Sequence, residues 1–233
     1  MEKKIVGVIA AMEAELTALK KLLPFKMDFY HSGMTFTLCE IQSCKLVICQ
    51  CGVGKVAAAM CAQMMASYYH ADMIVNIGVG GALVPGMRIG DLCIGTHVVQ
   101  HDLDTTALGD PPGYVSGLGT VHLACDGAMV LKFQRIAEKI GFRTVSGTIA
   151  TGDMFVSDAA LKHEIASNFG ALMCDMESAA IAQVCYANDV MFCVLRAASD
   201  SGDENASEEY EQSMKAEAAA LVPVEVLRRF LHL

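Results

Sequence analysis

The sequence is short of positive charge. Its 17 lysines and arginines stand against 26 aspartates and glutamates, which gives a formal net charge of −9. Proteins that bind nucleic acids or anionic membrane surfaces present clustered cationic side chains. We therefore expect no nucleic-acid partner and no membrane partner, and a small neutral or cationic ligand fits this charge better.

Long apolar runs are missing as well. Gly, Asp, His or Lys interrupts every apolar stretch before it reaches the roughly 18 to 20 residues of a spanning helix. The opening residues, MEKKIVGVIAAMEAE, do not resemble a secretory signal followed by a small-residue cleavage site. The ten cysteines are scattered along the chain. We therefore expect reduced, buried thiols in a cytoplasmic protein rather than a disulfide framework.

Apolar residues are plentiful, at 54% of the 233 residues, with 18% charged. This composition supports one sizeable core, so we expect a single domain over residues 1–233. Short β-rich apolar runs alternate with amphipathic stretches, which predicts an α/β fold with a central mixed, largely parallel twisted sheet between helices, a three-layer αβα sandwich. The eight predicted strands are Ile5–Ala10, Thr35–Ile41, Lys45–Gln50, Met73–Gly78, Asp91–Gln100, Arg143–Ile149, Leu172–Met176 and Met191–Ala197.

Six helices are predicted between and after these strands. The segment from His101 to Thr120 is the one long irregular stretch, and it contains Asp-Pro-Pro-Gly and further glycines. A loop of this length inside a compact domain usually has a function or forms an interface. The predicted helices are Glu13–Leu22, Gly54–His70, Asp126–Ile140, Asp158–Asn168, Glu177–Ala187 and Glu208 to the C-terminus.

Two glycine-rich turns follow predicted strands, but neither matches a nucleotide cofactor motif. Cys51–Val56 lacks the four residues that separate the glycines of a Walker loop, and Leu83 replaces the third glycine of a dinucleotide fingerprint after Gly78–Gly81. His97 and His101 lie four residues apart, but in a strand that runs into a loop. We therefore expect no cofactor and no metal, and the glycines predict the rim of a ligand pocket.

Acidic residues follow the same strand ends. Glu13 and Glu15 come after the first predicted strand, and Asp175 and Glu177 come at the end of the seventh. Carboxylates at helix starts commonly complement the helix dipole, which is the simpler explanation for Glu13 and an open alternative for Glu177. Asp200 ends an apolar strand and precedes a polar run, a placement that suits a catalytic acid.

Six segments, in the same order along the chain, resemble the 5′-methylthioadenosine/S-adenosylhomocysteine nucleosidase family of the nucleoside phosphorylase-like superfamily. Each segment alone is a weak signal, whereas six in register are specific. The Ala-Met-Glu-x-Glu piece of the first segment points to the hydrolytic branch. The segments are Val6–Glu15, Cys51–Met60, Asn76–Leu83, Thr151–Val156, Asp175–Ala180 and Arg196–Asp200.

The resemblance implies a role for each matching residue. Glu15 would orient and activate the attacking water, and Asp200 would protonate the adenine. The family is usually homodimeric, so the resemblance also implies that a partner loop closes the pocket for the 5′ substituent. The resemblance further implies that Phe155 stacks on adenine and that Val156 reads its edge. Met176 would lie under the ribose, and Glu177 would bind the ribose hydroxyls. Ser199 and Arg196 would orient Asp200 and the water, and Met12 and Gly80 would also bind the substrate.

The chain departs from the family pattern at two positions. Val79 stands where the nucleosidases often have a serine beside the water, so water positioning would depend more on Glu15 and Arg196. Leu108 aligns where a partner subunit often contributes a phenylalanine to the 5′ pocket. These departures leave the rate and the preferred 5′ substituent open.

The implied reaction explains why two acidic side chains are needed. Breaking an N-glycosidic bond places positive charge on the sugar and negative charge on the leaving base, so one carboxyl group must donate a proton while another stays ionised. Asp200 would therefore need a raised pKa, and Glu15 would need to be charged.

Other functions on the same fold remain as alternatives. A phosphorylase would bring phosphate close to Glu15, and the two negative charges would repel by several kcal/mol at an effective dielectric constant of about 20. The Gly-Asp-Pro-x-Arg turn of phosphorylases is also missing after the first strand. A non-catalytic nucleoside binder would not need both Glu15 and Asp200. Cleavage of aminofutalosine on the same site stays open.

Overall fold

The computed structural model describes residues 3–200 and 218–233. Within these ranges the strands form one ten-stranded sheet in the order β10-β6-β8-β9-β5-β1-β4-β3-β2, with β7 paired to β6. The strands are β1 (Ile5–Ala10), β2 (Met27–His31), β3 (Met34–Glu40), β4 (Lys45–Gln50), β5 (Met73–Ala82), β6 (Leu92–Gln100), β7 (Leu123–Ala124), β8 (Thr144–Thr151), β9 (Ala171–Asp175) and β10 (Met191–Ala198).

The sheet is mixed, as expected. One parallel set consists of β4, β1, β5 and β10. A second parallel set consists of β6, β8 and β9. Antiparallel pairs join the two sets, β10 with β6 and β5 with β9, and the β2–β3 hairpin continues the sheet antiparallel to β4. The carboxyl ends of β1, β5 and β10 therefore lie at one edge of the sheet.

Helices cover this sheet, and the predicted α/β class is confirmed. Asp126 and Asp158 cap two of them, each accepting a hydrogen bond of 2.8 Å from the backbone N–H three residues later. The second helix packs closely on β1, since a Cβ at Gly7 would lie 2.7 Å from Met65 Sδ. The helices are α1 (Glu13–Leu22), α2 (Lys55–Ser67), α3 (Gly127–Ile140), α4 (Ala159–Phe169), α5 (Ser178–Ala187) and α6 (Ala218–Leu231).

The prediction of eight strands is wrong. The missed β2 is exposed along nearly its whole length, so its sequence lacks the buried alternation that marks a strand, and β7 has only two residues. β5 continues past Gly78 to Ala82, because its glycine-rich end still pairs with β10 and β9. The predicted helix from Glu208 begins outside the described residues, and a single domain over 1–233 stays a prediction.

The ten cysteines are all unpaired and buried. None of the described helices has the length and apolar composition needed to cross a bilayer.

Candidate active site

A cleft opens at the carboxyl ends of β1, β5, β9 and β10. It encloses about 590 Å³ of empty space, with its open mouth included. Nine of the predicted site residues line this cleft, and they come from five separate stretches of the chain. They are Met12, Glu15, Gly80, Phe155, Val156, Met176, Glu177, Ser199 and Asp200.

Glu15 lies in the first turn of α1, with 2% of its surface exposed. Its Oε2 accepts a hydrogen bond from the Met12 backbone N–H at 2.9 Å, and its Oε1 accepts one from the Val79 N–H at 3.1 Å. Gly78 makes this approach possible, because a Cβ there would lie 2.4 Å from Glu15 Oε1. The carboxylate is therefore held in one orientation by two backbone N–H groups, one just after β1 and one within β5.

Burial raises the pKa of Glu15 above its ordinary value. The Arg196 guanidinium and the backbone N–H groups of Met12 and Val79 oppose this shift, because each favours the charged carboxylate. A carboxylate with a raised pKa accepts a proton more readily near neutral pH. Glu15 is thus suited to take a proton from water.

Arg196 is fully buried on β10, behind the cleft wall rather than on it. Its Nε donates to Asp175 Oδ2 at 2.8 Å, and its Nη2 donates to Asn76 Oδ1 at 2.7 Å and to Glu177 Oε2 at 3.2 Å. Burial would lower the pKa of Arg196, but Asp175, Glu177 and Glu15 together raise it above its ordinary value. Arg196 is therefore a permanent cation for the carboxylates around it.

Asn76 and Asp175 complete this network, although no role was predicted for either residue. Asn76 Oδ1 accepts from Arg196 and from the Ser178 hydroxyl, and its Nδ2 donates to Ile9 O at 2.9 Å. Asp175 accepts from the Thr151 hydroxyl at 2.6 Å. The available signal was an asparagine in the middle of the apolar run of β5, since buried polar groups need partners.

Glu177 lies at the start of α5, but its side chain makes no capping hydrogen bond there. Its Oε1 accepts from the Gly54 N–H at 3.1 Å, and its Oε2 accepts from Arg196. Burial raises the pKa of Glu177 to about 7, Arg196 opposes the shift, and the charge of Asp175 adds to it. The side chain thus faces the cleft and its cation rather than its own helix.

We expect Glu177→Gln to weaken the pH dependence of stability. A carboxyl group whose pKa is raised in the folded state stabilises the protein below its ordinary value of 4.5, and that contribution is lost as the pH rises through about 7. The Tm of the ligand-free wild type should therefore fall further between pH 6 and pH 8 than that of the variant. One kcal/mol corresponds to roughly 2 to 4 °C in a chain of this size. Equal falls in Tm in both proteins would contradict the burial argument.

Asp200 lies at the end of β10 with 2% of its surface exposed. Its Oδ1 accepts from the Ala82 N–H at 3.3 Å and from the Lys162 ammonium at 3.2 Å. The Ser199 hydroxyl donates to Gly80 O at 3.0 Å and lies 3.3 Å from Asp200 Oδ2. That Asp200 is held protonated stays a prediction.

Lys162 is a third residue that sequence reasoning missed. It lies on the buried face of α4 with Ile165 and Phe169, three and seven residues further along. A lysine at such a position interrupts the apolar stripe of an amphipathic helix, and this was the available signal.

The remaining predicted contacts differ in exposure. Phe155 is half exposed at the cleft mouth, which leaves ring surface for a flat ligand to stack on, whereas the adjacent Val156 is buried. Val79 lines the cleft and donates its backbone N–H to Glu15, while its side chain has no hydroxyl group. Leu108 ends a short 3₁₀ turn, is 82% exposed and is not part of the cleft of its own chain.

Among residues 3–200 and 218–233, no group of three or more His, Cys, Asp or Glu side chains is arranged to hold a metal ion. The polar groups that line the cleft are carboxyl, hydroxyl and backbone groups. The cleft therefore has proton donors and acceptors on two sides of β5. It also has a half-exposed aromatic ring, that of Phe155.

The chain is similar to known proteins over nearly its whole length. A family model of the phosphorylase superfamily matches residues 5–231. A 5′-methylthioadenosine/S-adenosylhomocysteine nucleosidase of Geobacillus kaustophilus is 34% identical over 213 residues, 91% of each chain. An aminodeoxyfutalosine nucleosidase of Campylobacter jejuni is 33% identical over 207 residues, which cover 89% of this chain and 90% of that protein.

A solved structure is similar over nearly the whole chain. The S-adenosylhomocysteine nucleosidase of Streptococcus pyogenes, in complex with 5-methylthiotubericidin, has a TM-score of 0.93 and 31% identity. The match covers 99% of this chain and 97% of that chain.

Proposed function

This chain belongs to the phosphorylase superfamily and is an N-glycosyl hydrolase, and from that premise we propose that it hydrolyses 5′-methylthioadenosine and S-adenosylhomocysteine. The products are adenine and the 5′-thio-substituted ribose. The observation that carries the proposal is that two buried carboxyl groups, Glu15 and Asp200, line one cleft in different surroundings.

Each carboxyl group has one proton to move. As the C–N bond breaks, its electron pair goes to the adenine, and Asp200 gives the ring a proton. Water attacks the anomeric carbon, and Glu15 takes the proton that the water loses. The two side chains end with exchanged protonation states and recover through solvent, so the net reaction is the addition of one water.

The other cleft residues position the substrate in this proposal. Phe155 stacks on the adenine, and the Val156 backbone reads its edge. Met176 packs under the ribose, and Glu177 accepts hydrogen bonds from the ribose hydroxyls. Met12 and Gly80 form the adjoining wall, Ser199 orients Asp200, and Arg196 holds the carboxylates from behind.

Water is favoured over phosphate as the nucleophile. Of the described residues that line the cleft, none is a lysine or an arginine, whereas Glu15, Asp175, Glu177 and Asp200 are all acidic. A phosphate dianion would have to approach these carboxylates without a cation in the cleft wall, which is repulsive.

We expect the purified protein to release adenine from 5′-methylthioadenosine at the same rate with and without inorganic phosphate. Identification of the sugar product by mass spectrometry decides between the two reactions. Free methylthioribose supports hydrolysis. A phosphate requirement together with a sugar 1-phosphate would establish a phosphorylase instead.

Aminodeoxyfutalosine is a second candidate substrate, because the Campylobacter jejuni relative of nearly equal identity is named for it. The same acid and base would serve both nucleosides, since the scissile bond is of the same kind. Measuring kcat/KM for both substrates on one preparation ranks the two candidates.

We also propose a homodimer, with the partner copy closing the mouth of the cleft. Val56 and Met60 lie one turn apart on α2 and are both exposed, at 72% and 47%. Two loop residues are apolar and exposed as well: Val53, which lines the cleft, and Leu108. Exposed apolar groups of this kind favour association. The ten unpaired cysteines support a reducing, cytoplasmic location.

Val56→Glu is expected to convert the dimer into a monomer at micromolar concentration, because a buried unpaired charge at an interface costs several kcal/mol. Light scattering after size-exclusion chromatography gives the mass. Leu131→Glu, on the exposed face of α3, is the matched control and should stay dimeric. A wild type that is monomeric and fully active would contradict the proposed closure of the cleft.

A further inference from the structure

The Lys162 ammonium is buried beside the cleft and paired with Asp200. Both residues are 2% exposed, and Nζ lies 3.2 Å from Asp200 Oδ1. Lysines are almost never buried to this extent unless they are paired. Lys162 reaches this position from α4, 38 residues before its partner in the chain.

Apolar residues pack on the helix that carries Lys162. Ile165 and Phe169 are buried on α4 as Lys162 is, and they belong to a small core cluster with Leu83 and Val156. Stability alone is a poor explanation for such an ion pair, because replacing a buried pair by apolar side chains is often neutral or stabilising. The position of the pair at the wall of a reaction cleft supports a functional explanation.

Few other ionisable groups surround Lys162 among the described residues. Cys174 and Asp175 of β9 are the nearest on the neighbouring strand, and Asp175 is already bonded to Arg196. On α4 itself, His163 and Glu164 are exposed. The charge of Lys162 therefore acts mainly on Asp200.

We infer that Lys162 is a positioning residue for Asp200, and this inference rests on the proposed function of Asp200 as the acid. Lys162 and the Ala82 N–H both bind Oδ1, which fixes the plane of the carboxyl group. Oδ2 is then the oxygen that faces Gly81 on the cleft wall, because a Cβ at Gly81 would lie 3.3 Å from it. Oδ2 carries the proton that passes to the base.

The charge of Lys162 also assists the transfer itself. The O–H bond of Asp200 breaks, the proton goes to the adenine, and the electron pair stays on the carboxyl group as a new anion. The ammonium stabilises that anion and keeps its own proton throughout.

Lys162→Met tests these two effects together. We expect kcat for adenine release to fall about 10-fold or more with KM changed less than about threefold, since the acid is misplaced while the binding groups remain. Lys162→Arg keeps the charge and the hydrogen-bond donors, and it should recover most of this loss in kcat.

A double-mutant cycle separates positioning from a general loss of packing. In the Asp200→Asn background, Lys162→Met should lower kcat by less than about twofold, because the asparagine that replaces Asp200 cannot donate a proton to the base. His163→Met, the exposed neighbour on α4, is the matched control and should leave kcat unchanged. If Lys162→Met does not fold, Lys162→Gln and the Arg variant provide the same comparison.

The outcomes distinguish this inference from the proposed function. A wild type that releases no adenine from 5′-methylthioadenosine overturns the proposed function. An active wild type whose Met and Gln variants keep the wild-type kcat, or whose losses are equal in both backgrounds of the cycle, overturns only the role of Lys162.

Discussion

Asp200→Asn is expected to release adenine from 5′-methylthioadenosine at least about 100-fold more slowly than the wild type. Asparagine has the shape of the acid and keeps the oxygen that accepts from Ala82 and Lys162, but its amide cannot give a proton to the leaving base. The effect should fall on kcat, because binding of the adenine does not require the transfer. Steady-state kinetics with an adenine-specific assay gives the value.

Asp189→Asn is the matched control for this variant. Asp189 is exposed, outside the cleft and in a left-handed conformation that asparagine also tolerates. Its kcat should equal that of the wild type. Turnover by Asp200→Asn within tenfold of the wild type, in a protein with an unchanged near-UV circular dichroism spectrum, would remove Asp200 from the role of acid.

Glu15→Gln should also reduce adenine release at least about 100-fold, because an amide cannot take a proton from water. In the wild type, activity should rise with pH through the raised pKa of Glu15, as the carboxylate forms. The residual activity of the variant should lack this acid limb. A pH profile of kcat/KM for both proteins measures the difference.

The Gln variant also carries a structural penalty that must be separated from catalysis. Both oxygens of Glu15 accept backbone N–H groups, and the amide of glutamine offers only one acceptor. We therefore expect a lower Tm as well. Glu13→Gln, in the same first turn but exposed, controls for the loss of charge near the helix start. An acid limb that persists in Glu15→Gln would assign the titration to another group.

The fold could be predicted where local patterns decide it. β1, β4 and α1 have the predicted bounds, because their apolar periodicity and their neighbouring turns are contained in the segment itself. β2 could not be found in this way, since it is an exposed edge strand that depends on pairing with β3. The extension of β5 to Ala82 depends likewise on partners far along the chain.

The site residues also divide into those that local sequence patterns predict and those that depend on contacts between distant parts of the chain. Motif order identified Glu15, Glu177 and Asp200, because each lies at a strand end whose direction the α/β pattern predicts. The pairing of Lys162 with Asp200 is a contact across 38 residues, and no spacing rule relates a helix interior to the end of a distant strand. The partners of Glu177, Arg196 and the Gly54 N–H, also depend on contacts that only the folded chain makes.

Arg196 is a single cation among three carboxyl groups, those of Glu15, Asp175 and Glu177. When all three are ionised, the floor of the cleft has an uncompensated negative charge, and this surplus opposes the ionisation of each member. In the reaction that we propose, the ribose ring becomes positively charged at this spot as its base departs, and it brings the missing cation. The surplus negative charge of the ligand-free cleft would then be relieved in the transition state, which would be favoured over the neutral nucleoside.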